Sequence, residues 1–185
     1  MSRNGISNVE RLSSLKELRE LHLWDNNIEN IEPIGNLTEL RMLELIHNNV
    51  TDISPLSSLT NLRDLSLDEN NITNIDSLSQ LINLNSLSLM NNNIKNIEPL
   101  LFLRKLEYLG LSINEIKNIG VIGNLVNLKR LDLGGNKITD VSPLLSLNNL
   151  ESLSIDESTV ENISDIKNLK NLTKINSEDI ILKAK

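Results

Sequence analysis

Apolar residues recur along this chain with a fixed period of 22 residues. The leucines that mark the period are Leu15, Leu37, Leu59, Leu81, Leu103, Leu125, Leu147 and Leu169. Eleven residues after each of the first six leucines lies a polar slot, which is filled by Asn26, Asn48, Asn70, Asn92, Asn114 and Asn136. Ser158 fills the seventh slot, and Asn4 fits one slot upstream. A period without any insertion indicates stacked structural repeats, whose core is buried between neighbouring units.

One unit predicts a short strand, a turn and a compact return path. In the third complete unit, Leu65 and Leu67 alternate with polar residues, which is the period of a half-buried strand. Successive units should stack these strands into one parallel sheet with a spacing of about 4.8 Å. The asparagine of each unit has turn-forming chemistry, and its amide can bond backbone groups of the neighbouring coils. We therefore predict a ladder of buried asparagines along the stack.

The return path contains a recurrent proline, whose fixed φ angle starts a short 3₁₀ or extended turn. This slot is filled by Pro33, Pro55, Pro99 and Pro143. In other units the slot is filled by Ser77, Val121 and Asp165, so proline is not required. The path is too short for long helices. The pattern predicts an α/β-type repeat solenoid, a gently curved horseshoe with a parallel β-sheet on its concave face and short 3₁₀ or extended turns on its convex side.

The unit resembles the 22-residue leucine-rich repeat class found in bacterial internalins and in a phosphatase-1 regulatory subunit of eukaryotes. The residues that carry the resemblance in one unit are Leu59, Leu62, Leu65, Leu67, Asn70, Ile72, Ile75 and Leu78. The resemblance covers roughly Asn4 to Leu182, and the Asn- and Ile-rich usage is similar to low-GC bacterial members. It implies a right-handed leucine-rich repeat horseshoe whose partners dock on the concave face. Unlike internalins, the sequence shows no helical N-terminal cap, immunoglobulin-like domain or wall-sorting signal.

We expect residues 1–185 to form a single leucine-rich repeat domain. A partial repeat at 4–14 precedes full repeats that begin at residues 15, 37, 59, 81, 103, 125 and 147, and a partial last repeat spans 169–185. Both ends look unfinished, because no strand precedes Leu21 and Leu23, and little chain is left to cover the apolar residues Ile180, Ile181 and Leu182. Solenoids normally need polar caps, and exposed strand edges invite pairing. The sequence is therefore expected to be a piece of a longer protein, or else to self-associate end to end.

Composition excludes several classes of function. The formal net charge of −7 argues against nucleic-acid binding, which depends on clustered Lys and Arg. The chain has no cysteine, which excludes disulfides, thiol nucleophiles and Cys-ligated zinc. No apolar run approaches the ~18 residues of a membrane span, so membrane insertion is not expected. The first residues lack a secretory signal, which favours the cytoplasm, but a trimmed protein from the cell surface or a secreted one would look the same.

The outward positions of the predicted strands offer a surface for a protein partner. Trp24 neighbours Ile46 in the adjacent strand, and Met42 and His47 lie close by. Aromatic and Met residues on an open face are typical of interface hot spots. Alternatively, Trp24 covers the first strand as a makeshift cap. The predicted partner-binding residues are Trp24, His22, Met42, Glu44, Ile46, His47, Asp68, Met90, Tyr108, Arg130 and Asp132.

Two further features of this face are open to a functional or a neutral interpretation. Basic residues lie where strands begin (Arg19, Arg41, Arg63, Lys129) and acidic residues lie where they end (Asp25, Asp68, Glu69, Asp156, Glu157). Such segregation would orient a partner, although an ordinary solvated face gives the same pattern. Small residues form a smooth stretch that would let a partner approach closely, or that reflects neutral drift: Gly110, Ser112, Gly134 and Gly135.

The sequence predicts no catalytic residue, no cofactor and no metal site. His22 neighbours Glu44, and His47 neighbours Asp25, but neither pair has a pocket that would shift a pKa. We therefore expect ordinary surface pairs and a non-catalytic scaffold that binds a protein partner on its concave face. The alternatives are a structural spacer or fragment of a larger internalin-like bacterial adhesion protein, and a regulatory subunit of a phosphatase-like enzyme.

Overall fold

The structure of the chain is a computed structural model that describes residues 1–156, 160, 162–166, 169–176 and 178–179. Several sequence predictions fall outside the described residues, namely those on Glu157, Ser158, Ile180, Ile181 and Leu182. The strands in the described ranges are β1 (Glu20–His22), β2 (Met42–Glu44), β3 (Asp64–Ser66), β4 (Ser86–Ser88), β5 (Tyr108–Gly110), β6 (Arg130–Asp132), β7 (Ser152–Ser154), β8 (Lys174–Ile175) and β9 (Glu178–Asp179).

The described strands form one sheet in chain order. β1 to β8 run parallel, and β9 turns back antiparallel to β8. The central leucine of each strand pairs with its equivalent one repeat later, as Leu21 does with Leu43 and Leu43 with Leu65. These leucines are buried, whereas the residues on either side face outward. The predicted repeat horseshoe with a parallel sheet is thereby confirmed.

Short 3₁₀ helices fill the return path, as the proline slot predicts. Those in the described ranges are Glu10–Ser14, Glu32–Asn36, Ser54–Ser58, Asp76–Gln80, Glu98–Phe102, Gly120–Asn124 and Ser142–Ser146, and the next return path holds a short α-helix, α1 (Ile163–Ile166). An Asn or Asp two residues before each 3₁₀ helix starts it, as Asp52 does by accepting the N–H of Ser54 at 2.8 Å. None of the helices in the described ranges has the length and apolarity that crossing a bilayer requires.

The core is one continuous stack of Leu, Ile and Val side chains between the sheet and the return paths. Within a single unit, Leu43 and Leu45 of the strand side and Leu56 of the return path are completely buried. Burying each such leucine contributes about 1.5–3 kcal/mol relative to leaving it exposed. Because each side chain packs against the next coil, stability comes from the stacking of neighbours.

The buried asparagines join successive coils through hydrogen bonds. Asn70 Oδ1 accepts the N–H of Val50 at 2.9 Å, and its Nδ2 donates to the carbonyls of Leu45 at 2.9 Å, Leu67 at 3.1 Å and Asp68 at 3.0 Å. One amide therefore satisfies backbone groups of two coils where the chain leaves the strand. Equivalent bonds are formed by Asn26, Asn48, Asn92, Asn114 and Asn136.

The residue before each of these asparagines has a positive φ angle, between 52° and 70°. The backbone turns sharply there, which brings the asparagine from the strand into the interior. This left-handed conformation strains most side chains, and glycine, Asn and Asp tolerate it best. The slot is filled by Asp25, His47, Glu69, Asn91, Ile113 and Gly135.

The N-terminal segment lies against β1. No strand precedes β1 in the described sheet, but Arg3 donates its N–H to the carbonyl of Trp24 at 3.1 Å. Val9 and Leu12 belong to the same buried cluster as Leu23, which is fully inaccessible to solvent. The edge of β1, which the sequence predicted to be uncovered, is therefore partly covered by the N-terminal segment. End-to-end self-association stays a prediction.

Replacing Asn70 by alanine should lower the free energy of unfolding by about 1–3 kcal/mol, because buried backbone groups lose their partners. Asn71→Ala is the matched control, because its side chain is exposed and this change should stay within about 0.5 kcal/mol. Urea unfolding followed by circular dichroism measures both. Equal losses at the two positions would contradict the role of the amide ladder.

Candidate protein-binding face

The paired register places the outward side chains of the strands in columns on the open face of the sheet. The column at the start of the strands is Glu20, Met42, Asp64, Ser86, Tyr108, Arg130 and Ser152. The middle column is His22, Glu44, Ser66, Ser88, Gly110, Asp132 and Ser154. Just beyond the strand ends lie Trp24, Ile46, Asp68, Met90, Ser112 and Gly134.

Three apolar side chains lie on the first two repeats of this face, Trp24 and Ile46 just beyond the strand ends and Met42 at the start of β2. Trp24, Met42 and Ile46, which we call the N-terminal patch, are each partly accessible to solvent. The guanidinium of Arg3 lies 4.7 Å from the centre of the Trp24 ring, in a cation–π arrangement. The patch therefore presents an aromatic anchor beside a positive charge.

The makeshift-cap interpretation of Trp24 stays a prediction, and the structure shows which residues cover the core beneath β1. Among the described partly buried hydrophobic residues, Ile6 and Leu18 pack against the core, and Trp24 does not. Val9 and Leu12 already cover the inward side of β1. The tryptophan side chain therefore lies on the open face of the sheet and outside the core.

The two histidines form the expected pairs with carboxylates. His22 Nδ1 lies 2.7 Å from Glu44 Oε2, and His47 Nδ1 lies 3.0 Å from Asp25 Oδ1. Arg3 Nε adds a contact of 3.2 Å to the second oxygen of Asp25. All these groups are accessible to solvent, and the described residues contain no group of three or more His, Asp or Glu side chains that could hold a metal. Exposed pairs of this kind contribute about 0–1 kcal/mol.

The sequence predicted that Gly110 would leave open space for a partner, but this space is filled by the chain's own side chains. A Cβ at this residue would lie 2.7 Å from the Tyr108 hydroxyl, 2.8 Å from Ser88 Oγ and 3.2 Å from Met90 Cγ. The glycine is buried because these three side chains converge over it. The prediction of a smooth stretch is therefore wrong at Gly110, where the missing side chain makes room for the chain's own Tyr108.

Asp68 also differs from an ordinary surface carboxylate. It is 9% exposed, and its Oδ1 accepts the N–H of Met90 at 2.7 Å. Burial raises the pKa of Asp68 above its usual range, and the nearby Glu69 raises it further, while Ser88 and the Met90 N–H lower it. No ion pair joins Asp68 to a cation within the described part of the chain.

The remaining predicted residues lie over β5 and β6. Arg130 is exposed and pairs in register with Tyr108, and Asp132 is partly accessible and pairs with Gly110. Asp132 raises the pKa of the Tyr108 hydroxyl, although burial is the larger cause. The structure thus gathers a second group, Asp68, Ser88, Tyr108 and Asp132, which we call the central polar cluster.

Ile113 is an interface candidate that the sequence prediction omitted. It is 59% exposed and has a φ of 56°, in the left-handed region that disfavours β-branched residues. The residues at the same position of the other repeats are polar or glycine. A single aliphatic side chain in this otherwise polar position is the signal by which the sequence could have revealed Ile113. Strain at an exposed apolar residue is typical of positions that serve binding.

The fold and the repeated ladder define a class of protein. A family model described as leucine-rich repeats, in two copies, matches residues 16–58, 38–80, 104–146 and 126–171. These matches cover more than half of the sequence, and the chain belongs to the leucine-rich repeat family. Members of this family commonly mediate protein–protein interaction and are typically non-enzymatic. The comparison with curated proteins found no significant match.

Solved structures place the chain beside bacterial internalins. It is 35% identical to an internalin of Listeria monocytogenes, inlF, with a TM-score of 0.86 over 92% of this chain and 51% of that one. It is also 35% identical to internalin C2 of the same organism, with a TM-score of 0.87 over 92% of this chain and 76% of that one. A plant peptide hormone receptor, RGFR1, solved in complex with RGF2, is 29% identical with a TM-score of 0.78, over 91% of this chain and 29% of the receptor. The chain thus spans about half the length of the first internalin.

Ile113→Asn should raise the free energy of unfolding by about 1 kcal/mol, because Asn tolerates a positive φ angle that costs other L-residues roughly 1–2 kcal/mol. Ile82→Asn is the matched control, since Ile82 is 52% exposed and is not among the residues with positive φ. Thermal and urea unfolding measure both variants. A loss of stability at position 113 would show that Ile113 is not strained.

Asp68→Asn should make the protein more stable at pH 7, by the roughly 0.5–2 kcal/mol that removing an unfavourable charge commonly yields. The pKa of Asp68 is higher in the folded state than in the unfolded state. The parent protein therefore gains stability as the pH falls from the folded-state pKa toward the unfolded-state pKa. The stability advantage of the variant should shrink over the same pH range. Asp140→Asn is the control, because hydrogen bonds from Ser142 lower the pKa of Asp140. An advantage of Asp68→Asn that does not change with pH would contradict this assignment.

Proposed function

We propose that this chain is a non-catalytic scaffold that holds a protein partner on its concave sheet face. The observation that carries the proposal is the placement of the N-terminal patch, where the chain's only tryptophan lies on the open face and outside the core. Trp is enriched at the energetic centres of interfaces, Met is enriched at interfaces generally, and the contacts that surround such a centre exclude water from it.

The comparisons support a binding role without specifying the partner. The internalins and the plant receptor share this fold, and the receptor was solved with RGF2 bound. A rigid sheet suits recognition because little backbone movement accompanies binding to pre-organised surfaces. The described residues include no cluster of His, Asp and Glu side chains suited to metal chemistry, which favours a scaffold over an enzyme.

A second candidate function is a structural spacer within a longer surface protein. The chain matches only 51% of the first internalin and 29% of the plant receptor, so a homologous parent would carry further segments. A spacer would place the binding site outside the repeats. Substitutions on the open face would then leave partner binding unchanged.

Trp24→Ala should weaken binding by about 2 kcal/mol or more, which is the loss typical of a hot spot and corresponds to roughly 30-fold in Kd. Partners are first captured on the immobilised protein from a lysate of the organism that encodes it. Each captured protein is then purified, and its affinity is measured by isothermal titration calorimetry against the parent and the variant.

Phe102→Ala provides the matched control, because Phe102 is an aromatic residue that is 57% exposed on the convex side. It should bind every partner as the parent does. A partner that binds Trp24→Ala as tightly as the parent would refute the N-terminal patch as the centre of the interface. Partners that are lost only with Phe102→Ala would move the site to the convex side.

A further inference from the structure

The central polar cluster contains a buried hydroxyl that lacks a partner. Ser88 is 6% exposed, and its Oγ has no hydrogen-bond partner among the described residues. The oxygen is close enough to Asp68 and Tyr108 to lower the pKa of both, but its geometry toward neither forms a hydrogen bond. Buried polar atoms are almost always bonded in native proteins, so this exception points to a group supplied from outside.

The surroundings of this hydroxyl are acidic. Asp68 lies on one side, and Asp132 lies near the Tyr108 hydroxyl on the other. Both carboxylates lack an ion-pair partner within the described residues, and Arg130 forms no ion pair there either. The low accessibility of Asp68 makes its charge costly in the free protein, since water solvates it poorly. The missing component is therefore a cation that also donates hydrogen bonds.

We propose that the central polar cluster binds the guanidinium group of an arginine side chain. The arginine would belong to the protein partner, so in this respect the inference rests on the proposed function. A guanidinium carries a positive charge and five N–H donors in a planar fork, and its weak hydration lets it enter partly buried sites. It would donate to Ser88 Oγ and to Oδ2 of Asp68, while the carboxylate of Asp132 balances its charge from the other side and the neutral Tyr108 hydroxyl oxygen offers a further acceptor.

Gly110 makes this arrangement possible. A side chain at residue 110 would occupy the space in which the Tyr108 hydroxyl and Ser88 Oγ converge. The glycine therefore lets Tyr108 lie along its own strand, with its hydroxyl beside Ser88. Charge-assisted hydrogen bonds to carboxylates are stronger than neutral ones, which gives this cluster selectivity for a basic side chain over a neutral one.

Two small probes test the cluster without any knowledge of the partner. N-acetyl-arginine amide carries the guanidinium, and N-acetyl-citrulline amide has nearly the same shape without the charge. We expect the arginine probe to shift the NMR amide signals of Met90 and Gly110 in a saturable manner, with Kd of the order of millimolar at low salt. The citrulline probe should bind at least tenfold more weakly.

Variants with matched changes in net charge locate the binding. The double variant Asp68→Asn with Asp132→Asn should weaken the arginine probe at least tenfold. Asp52→Asn with Asp140→Asn, which removes two charges on the convex side, should bind it as the parent does. Ser88→Ala should weaken binding several-fold without lowering the thermal midpoint, because the lost hydroxyl has no partner in the free protein.

Three results would overturn the inference: equal binding of both probes, shifts that lie away from Met90 and Gly110, or full binding by the Asp68 and Asp132 double variant. A failure here would leave the proposed function standing, because a partner could still dock on the N-terminal patch. If the probes behave as expected while Trp24→Ala leaves every partner unaffected, the guanidinium site stands and the patch does not.

Discussion

The hydrogen bonds of the asparagine amides are the constraint on which the rest of this structure depends. Each amide fixes one coil against the previous one, because its oxygen accepts an N–H from 20 residues earlier and its nitrogen donates to carbonyls of both coils, as at Asn70. This bonding requires the same phase in every unit. Once the phase is fixed, the alternation of the strands decides which residues face the core and which lie on the open face of the sheet.

Residues on the open face differ from repeat to repeat, whereas the ladder position holds asparagine in six consecutive repeats. Ser88 and Asn92 lie four positions apart, yet the first has an unpartnered hydroxyl and the second bonds two coils. Asp68 and Ile113 likewise keep groups that the fold alone would not favour, a poorly solvated charge and a β-branched residue at positive φ. Costs of this kind are common at functional sites and uncommon elsewhere. Their presence on the open face agrees with the proposal that this face binds a partner.

The sequence alone predicted the fold, the strand register and the asparagine slots, because each follows from one period repeated without interruption. It could not predict that Asp68 is buried or that Tyr108 lies over Gly110, since periodicity assigns a residue to a face but not a direction along it. It also missed a second set of bonds on the entry side, such as Asn83 Nδ2 to the carbonyl of Thr60 at 3.0 Å. Each of those asparagines precedes a core leucine, so their recurrence can be read from the sequence. The carbonyl to which each side chain donates cannot.

The N-terminal patch and the central polar cluster lie on one sheet whose strands are held about 4.8 Å apart, so their separation is set by the number of strands between them. A partner that uses both proposed sites would have to match that spacing with one apolar group and one basic group. Two contacts on one surface would reinforce each other, because once the first has formed the second becomes an intramolecular event. The distance between Trp24 and Ser88 would then contribute to specificity as much as the chemistry of the two sites. The asparagine hydrogen bonds beneath the two sites join each coil to the next and thereby set that distance.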